Sequence, residues 1–326
     1  MTSLNFITPH TIIQGPSHLN NKKMQLRKRF EGNKIKKILV TGTSGLLGSK
    51  IVEQARKHYE IIPTYGTKPL FLNSVKMDIT DERNVRRVFN NFMPDIVVHP
   101  AADTNVDRCE VEKKHAWEVN AEGTRNIAKV CDRMKAKIVY VSTDYVFDGD
   151  KGLYTEKEEP NPANYYGLTK LEGEKYVTEM CKDHVIVRTS VLYGWHPWKS
   201  NFVKWVIQSL TENKQISVVN DHYNSPTLAY NLAEVILGII KKDLKGLYHT
   251  AGSERINRFE FALKIAKTFY LDASLIRPIE MRELKAWVAK RPRDSSLCVD
   301  KIQKELKTKL LNVREGLKKM KEKSQQ

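Results

Sequence analysis

Cysteine is scarce. The four present, Cys109, Cys131, Cys181 and Cys298, lie far apart and form no Cys-x-x-Cys pair. That usage excludes a zinc site or a disulfide framework and fits a reduced, cytoplasmic protein. Long apolar runs are absent as well: nothing approaches the ~18 residues of a membrane-spanning helix. The opening stretch MTSLNFITPHTIIQGPSHLNN lacks the basic segment and apolar core of a secretory signal. No internal repeat and no low-complexity linker marks a sharp domain boundary. Acidic residues are in deficit, 38 against 55 Lys and Arg, for a net charge of +17. The excess sits at the ends. Residues 22–37 hold eight Lys/Arg against Glu31, and residues 301–326 hold nine against three glutamates. No nucleic-acid motif and no interleaved aromatics accompany these runs. They read as solvated faces, and no specific nucleic-acid partner is expected.

What is present is a core and a rhythm. Hydrophobic residues make up 40% of the 326, enough for one large domain or two ordinary ones. Residues 1–34 show no clear period and contain the turn signal Gly15-Pro16, so they read as a basic, flexible extension. From Ile35 onward apolar strands alternate with helical stretches. Strands are expected at Ile38–Thr41, Glu60–Thr64, Asp95–His99, Lys137–Val141 and His184–Val187. Helices are expected at Leu46–His58, Glu82–Asn91, Ala121–Met134 and Asn164–Cys181. This alternation predicts an α/β fold, a doubly wound parallel sheet with helices on both faces. After Val187 the rhythm loosens, with helical patterns at Asn201–Leu210, Leu228–Ile240 and Arg258–Phe269 and one or two charged helices over 300–323. The organisation expected is a dinucleotide-binding domain over 35–190 and a smaller, mainly substrate-binding portion over 191–326. Elements near 218–252 return to the sheet region.

The chain is organised around Lys36–Gly48, KKILVTGTSGLLG. A strand ends in three glycines, Gly42, Gly45 and Gly48, and an amphipathic helix follows. Strand, glycine turn and helix together are the context of a nucleotide-binding loop. Gly42 permits the tight turn, Gly45 admits a pyrophosphate to the backbone, and Gly48 lets the helix approach the sheet. The helix N-terminus then faces the anion. A second constellation begins at KIVYVSTDYVFDG, 137–149, where a strand ends in Ser142 and Thr143. In open α/β sheets ligands bind beyond such ends. Tyr166 and Lys170 follow in YYGLTK, four residues apart and so on one helix face. An ammonium beside a phenol favours phenolate and lowers its pKa, which suits a proton donor.

With these motifs in order, the chain resembles an extended short-chain dehydrogenase/reductase, and within it the dTDP-4-dehydrorhamnose reductase branch. The resemblance runs from about Lys36 to Asp300 through TGTSGLLG (41–48), MDITD (77–81), HPAADTNVDRCE (99–110), VNAEGT (119–124), VSTDYVFDG (141–149), YGLTK (166–170), VRTSVLYG (187–194), VVNDHYNSPT (218–227), GLYHTAGSE (246–254) and RPRDSSL (291–297). It implies a Rossmann-type domain with a smaller C-terminal substrate-binding domain, and a nicotinamide dinucleotide. By position, Gly42, Ser44, Gly45, Leu46 and Leu47 seat the cofactor's pyrophosphate. Asp78 and Ile79 flank the adenine, and Ala101 and Ala102 line the trough. Thr143 holds the substrate carbonyl, with Ser142 the alternative hydroxyl. Tyr166 protonates its oxygen, and Lys170 holds the nicotinamide ribose. Thr104, Asp144, Tyr145, Asn201 and Arg291 reach the substrate, Arg291 and Arg293 as a pyrophosphate clamp. Asn120 matches the family's structural asparagine and also reads as a helix N-cap. A turn carboxylate at Asp78 and solvated arginines at 291 and 293 stay open as alternatives.

The end of the second strand, IIPTYGTKP (61–69), carries Lys68 and no carboxylate to select NAD. NADP(H) is therefore the expected cofactor, with NAD(H) the alternative and a plain surface charge the other reading of Lys68. Asp144 is followed by Tyr145 rather than a second acid, which disfavours dehydration and leaves carbonyl reduction. Val191 stands where rhamnose-forming enzymes carry a tryptophan, so Trp195 or Trp198 becomes a candidate replacement. The expected activity is NADPH-dependent reduction of the 4-keto group of a nucleotide sugar, dTDP-4-dehydrorhamnose or a close analogue, by a homodimer. Two alternatives stand: an epimerase of the same family, and a non-catalytic subunit resembling the regulatory subunit of methionine adenosyltransferase.

Overall fold

A computed structural model describes residues 35–323; the extension expected over 1–34 lies outside the described residues. Strands β1 (Lys37–Val40), β2 (Glu60–Tyr65), β3 (Val75–Lys76), β4 (Ile96–His99), β5 (Lys137–Thr143), β6 (His184–Thr189) and β7 (Gly246–His249) form one sheet. Its order is β7-β6-β5-β4-β1-β2-β3, and every neighbouring pair is parallel. The chain runs outward one way from β1 to β3 and the other way from β4 to β7. A crevice therefore opens at the carboxyl ends of β1 and β4, where ligands bind in such sheets.

Alternation along the strands divides the core into two faces. Ile38, Val40, Ile96, Val98, Val139 and Val141 point to one, against Ile51 and Val52 of α1 (Leu46–Ala55). Leu39, Val97, Ile138 and Tyr140 point to the other, against Val85 and Phe89 of α2 (Glu82–Phe92). Each such buried aliphatic contributes about 1.5–3 kcal/mol, so the sheet is anchored from both sides. The sequence-based helix at Ala121–Met134 starts earlier in the structure. After the short α3 (Val106–Val111), α4 (Lys113–Trp117) runs through a π-helical turn at Glu118–Glu122 into α5 (Gly123–Met134). Asn120 thus lies inside a helix rather than capping one. Its amide bonds the Asp103 backbone at both ends, at 2.8 and 3.0 Å, and Thr169 at 3.1 Å. The widened turn is what lets the side chain reach across.

The long α6 (Tyr165–Met180) lies beside β5. The second half of the chain supplies α7 (Phe202–Thr211), α8 (Ala229–Lys241), α9 (Arg258–Phe269), α10 (Asp300–Glu305) and α11 (Val313–Glu322). Lys285–Ala289 is not helical. A separate core forms around Val203, Val206, Ile216, Phe261, Ile265 and Leu317, where Ile216–Val219 pairs in parallel with Ile276–Ile279. No helix among the described residues is long and apolar enough to cross a membrane.

Candidate active site

The glycine turn is shaped by steric necessity. Gly42 has φ +60°, and a Cβ there would lie 3.0 Å from the Ala101 Cα; one on Gly48 would lie 2.5 Å from the Gly42 carbonyl oxygen. The turn is therefore closed to side chains, and α1 sits directly on it. Gly45 caps α1 without a side-chain hydrogen bond, and the first turn holds no acid. Its N–H groups are left for an anion. Ser44 and Leu46 are half-buried on the turn, while the Leu47 side chain is core, so Leu47 offers its backbone alone.

The floor beside this turn is fixed by a relay. The Ala101 N–H donates to Thr41 Oγ1 at 3.2 Å, and Thr41 donates to His99 Nδ1 at 2.7 Å. His99 Nε2 then bonds Thr124 at 3.2 Å, and Thr124 donates to the Asn120 carbonyl at 2.6 Å. Burial, with help from Lys170, brings His99 down to about 3, so it serves as a neutral link. Ala101 and Ala102 are half-buried at this floor. Asp78 is exposed and closes a turn, accepting from Thr80 N at 2.9 Å and Thr80 Oγ1 at 2.7 Å. Ile79 is buried, so close to Gly123 that a Cβ there would come within 2.9 Å of it. Exposed Lys68 lies over the Trp198 ring, 4.6 Å from its centre. Trp198 in turn meets His196 edge-on at 5.3 Å. Trp195 is a packing residue: its Nε1 donates to the Met320 carbonyl at 2.8 Å.

The catalytic candidates meet because α6 lies almost on β5 and its following turn. A Cβ on Gly167 would fall 2.0 Å from the Tyr145 carbonyl oxygen. Asn164 caps the helix, accepting from Gly167 N at 2.9 Å, and donates to the Lys290 carbonyl at 2.9 Å. Thr143 at the end of β5 then faces Tyr166. Burial pushes the Tyr166 phenol above its ordinary range, and the Thr143 hydroxyl draws it back down. Lys170 follows one turn on along the same helix. Its ammonium donates to the Val141 carbonyl at 2.8 Å and lies over Tyr140, 4.2 Å from the ring centre. Burial lowers Lys170 to about 7, with Glu174 opposing.

Four of the expected substrate contacts are placed differently. Asp144 points inward, accepting from Thr143 at 3.0 Å, Ser190 at 2.7 Å and Ser295 at 2.6 Å. It orients the threonine rather than a ligand. Tyr145 is buried, its ring 6.0 Å from that of Tyr166 and edge-on to it. Asn201 caps α7 and donates to the Gly194 carbonyl at 2.8 Å, which occupies both ends of its amide. Arg291 is held by Asp107 at 2.7 Å and by the Ala289 carbonyl at 2.9 Å; Arg293 is exposed. Thr104 is exposed in the loop after β4. Sequence reasoning missed Ser190 and Ser295, the two distant hydroxyls that hold Asp144. Val191, at φ +44°, is strained for a β-branched residue and directly follows Ser190.

A family description, the RmlD substrate binding domain, matches residues 36–326. The chain belongs to this family. Its extended short-chain dehydrogenase/reductase character is shared with the relatives it matches. A probable low-salt glycan biosynthesis reductase of Haloferax volcanii is 34% identical over 82% of this chain and 91% of its own. The methionine adenosyltransferase 2 subunit beta of Bos taurus is 30% identical over 82% of each. The crystal structure of a dTDP-4-dehydrorhamnose reductase from Bacillus anthracis, in complex with NADP, superposes with a TM-score of 0.81. It is 34% identical and covers 89% of this chain and 100% of that one. The geometry that accompanies this family match is a glycine turn closed to side chains, an uncapped helix start, and Thr143, Tyr166 and Lys170 beyond the intervening strand β4.

Proposed function

We propose that the protein is an NADPH-dependent reductase of a 4-keto nucleotide sugar, acting on dTDP-4-dehydrorhamnose or a close analogue. The observation that carries this reading is the approach of Tyr166 to Thr143 at the end of β5, beside a glycine turn built for a pyrophosphate. The reductase from Bacillus anthracis, solved with NADP, supports it. Residues 35–190 hold the cofactor, and 191–326 supply the substrate wall. Ser44, Leu46 and Leu47 offer backbone N–H groups to the pyrophosphate, and Gly42 and Gly45 leave it room, the Gly45 N–H being held by the Gly42 carbonyl at 2.9 Å. Lys68 meets the 2′-phosphate, and Ala101 and Ala102 form the floor. Asp78 and Ile79 border the adenine. The bound cofactor supplies a hydride to the keto carbon. Thr143 Oγ1, whose proton goes to Asp144 in the free protein, turns it to the keto oxygen when the substrate binds. Tyr166 gives that oxygen a proton as charge develops. Lys170 secures the nicotinamide ribose. Asp144 is committed to three hydroxyls, which supports reduction over dehydration.

The reading includes a cytoplasmic homodimer, to be checked by light scattering. NADPH oxidation with a panel of 4-keto nucleotide sugars tests the activity. Tyr166→Phe is expected to lower kcat at least ~100-fold, the scale of a lost general acid, with NADPH affinity retained. Turnover that survives this change removes the proposed acid. The 30% identity to the bovine beta subunit supports a second reading, a cofactor-fold regulatory partner. Co-purification with a methionine adenosyltransferase, together with no turnover on the panel, would favour it.

A further inference from the structure

Between β6 and α7 the chain crosses back over the glycine turn. Three contacts mark its course in order. A Cβ on Gly194 would lie 3.6 Å from Leu46 Cδ1, at the first residue of α1. The His196 ring lies against the Ser44 backbone. The Trp198 ring then meets Lys68, beyond the end of β2. Residues 195–199, WHPWK, are thus a strap from the glycine turn to the loop after β2. Those are the two places that receive the pyrophosphate and the adenosine ribose of a dinucleotide in such a fold.

The strap is held at several points. Pro197 restricts its middle. The Asn201 amide donates to the Gly194 carbonyl at 2.8 Å. Lys204 donates to the carbonyls of His196 at 2.8 Å and Lys199 at 3.2 Å. His196 is the pin. Its Nδ1 accepts from the Lys199 N–H at 3.0 Å and lies 3.4 Å from the Trp198 nitrogen. The proton therefore sits on Nε2, which is buried and has no partner. Burial lowers the pKa of the imidazole, and Lys50, Lys204 and Lys199 push the same way, so it stays neutral near pH 7. The backbone beneath Trp198 is in this way fixed to the ring that the indole meets edge-on at 5.3 Å.

A tryptophan so placed acts on the lysine below it. Lys68 is exposed, and an exposed lysine loses side-chain entropy when a phosphate fixes it. Over the ring, 4.6 Å from its centre, the ammonium is confined beforehand. A π face attracts the cation without neutralising it, whereas a carboxylate would compete with an incoming phosphate. Among the described residues Lys68 makes no ion pair; its contact is this ring. Lys50, on the other side of the turn, is by contrast bonded to Glu53 at 2.9 Å. We propose that Trp198 is a specificity-determining residue for the cofactor, presenting Lys68 to the 2′-phosphate and so setting the preference for NADPH over NADH. This rests on the reading that Lys68 meets that phosphate. Trp198 acts through Lys68 and is a positioning residue. The second half of the chain thereby takes part in a choice that the end of the second strand otherwise makes.

Calorimetric titration of the full chain with NADPH and with NADH tests this. Trp198→Ala is expected to weaken NADPH ~5-fold, the scale of ordering one long side chain, and to leave NADH within about twofold. Trp198→Phe, which keeps a ring beneath the ammonium, is expected to recover most of the loss. Lys68→Ala is expected to abolish the preference for NADPH. Adding Trp198→Ala to it is expected to change nothing further, because no lysine is left to present. Equal losses of NADPH and NADH in Trp198→Ala overturn the proposal, as does a selective loss that persists in the Lys68→Ala background. If Lys68→Ala removes the preference while Trp198→Ala, binding NADH normally, keeps it, the proposal falls and the reading of Lys68 stands. If Lys68→Ala keeps the preference, both fall.

Discussion

Lys170 carries two opposed demands in one side chain. It must stay protonated to donate, yet it is buried beneath the cleft. Burial brings it from 10.5 to about 7, while Glu174 pulls the other way. Tyr140 and His99 are the other titratable groups facing it, and burial keeps both neutral near pH 7. Raising the pH through about 7 therefore removes a donor from the ribose site. In the free enzyme kcat/KM for NADPH is expected to fall on this alkaline side, approaching about tenfold per pH unit. Lys170→Met should be slow at every pH and lack that limb. A wild-type profile flat to about pH 9 would show that this ammonium is not needed. The residue scale is also where sequence reasoning met its limit. Thr143, Tyr166 and Lys170 were readable because the strand end and the i, i+4 spacing are local. Asp144 was assigned to substrate because nothing local shows that Ser190 and Ser295, 46 and 151 residues further on, would occupy it. Arg291 was offered to a phosphate for the same reason, its partner Asp107 being 184 residues away.

At the scale of elements, the decisive dimension is the gap between α6 and the turn after β5. Helix propensity alone predicts that Gly167→Ala stabilises by up to about 1 kcal/mol. The structure predicts the opposite sign. The new methyl would lie 2.0 Å from the Tyr145 carbonyl oxygen, a backbone atom that cannot rotate away. The helix must lift, carrying Tyr166 from Thr143. Gly167→Ala is expected to lower Tm and to cost at least ~10-fold in kcat, as displacements of this size do. Leu168→Ala, at an exposed neighbour, should stay within about 0.5 kcal/mol of the parent. A Gly167→Ala enzyme with raised Tm and full kcat would mean the contact is slack. The elements themselves were legible where period and stop signal agree: Asp81 caps α2 and Asn164 caps α6, each at the start of a clear apolar pattern. The π-helical turn at 118–122 was not, because its cause is tertiary. Only the far contact of Asn120 with Asp103 and Thr169 distinguishes it from a continuous helix.

The whole molecule keeps several histidines neutral in its interior, and this gives it a pH-dependent weakness. His99 and His249 are each brought to about 3, chiefly by burial. His222 is held well below its ordinary value for the same reason. In the unfolded chain all three return to about 6.5. Between these values the unfolded state binds protons that the folded state refuses. The stability they contribute is thus fully present above about pH 6.5 and is lost as the pH falls, by up to about 1.4 kcal/mol per unit for each histidine. The salt-bridged carboxylates act in a separate window. Glu82, Asp107 and Asp243 have lowered pKa values, so what they contribute is lost only below the ordinary carboxylate range. Tm is therefore expected to decline from about pH 6.5, well before the carboxylates titrate. The net charge of +17 adds repulsion in the same direction as protons accumulate. His99→Asn, which removes one of the three histidines, should flatten the slope between about pH 6.5 and 5 by up to a third, whatever it does to Tm at neutral pH. Melts recorded in matched ionic strength decide it: a Tm constant from about pH 7.5 to 5 would mean that these histidines take up protons in the folded state after all.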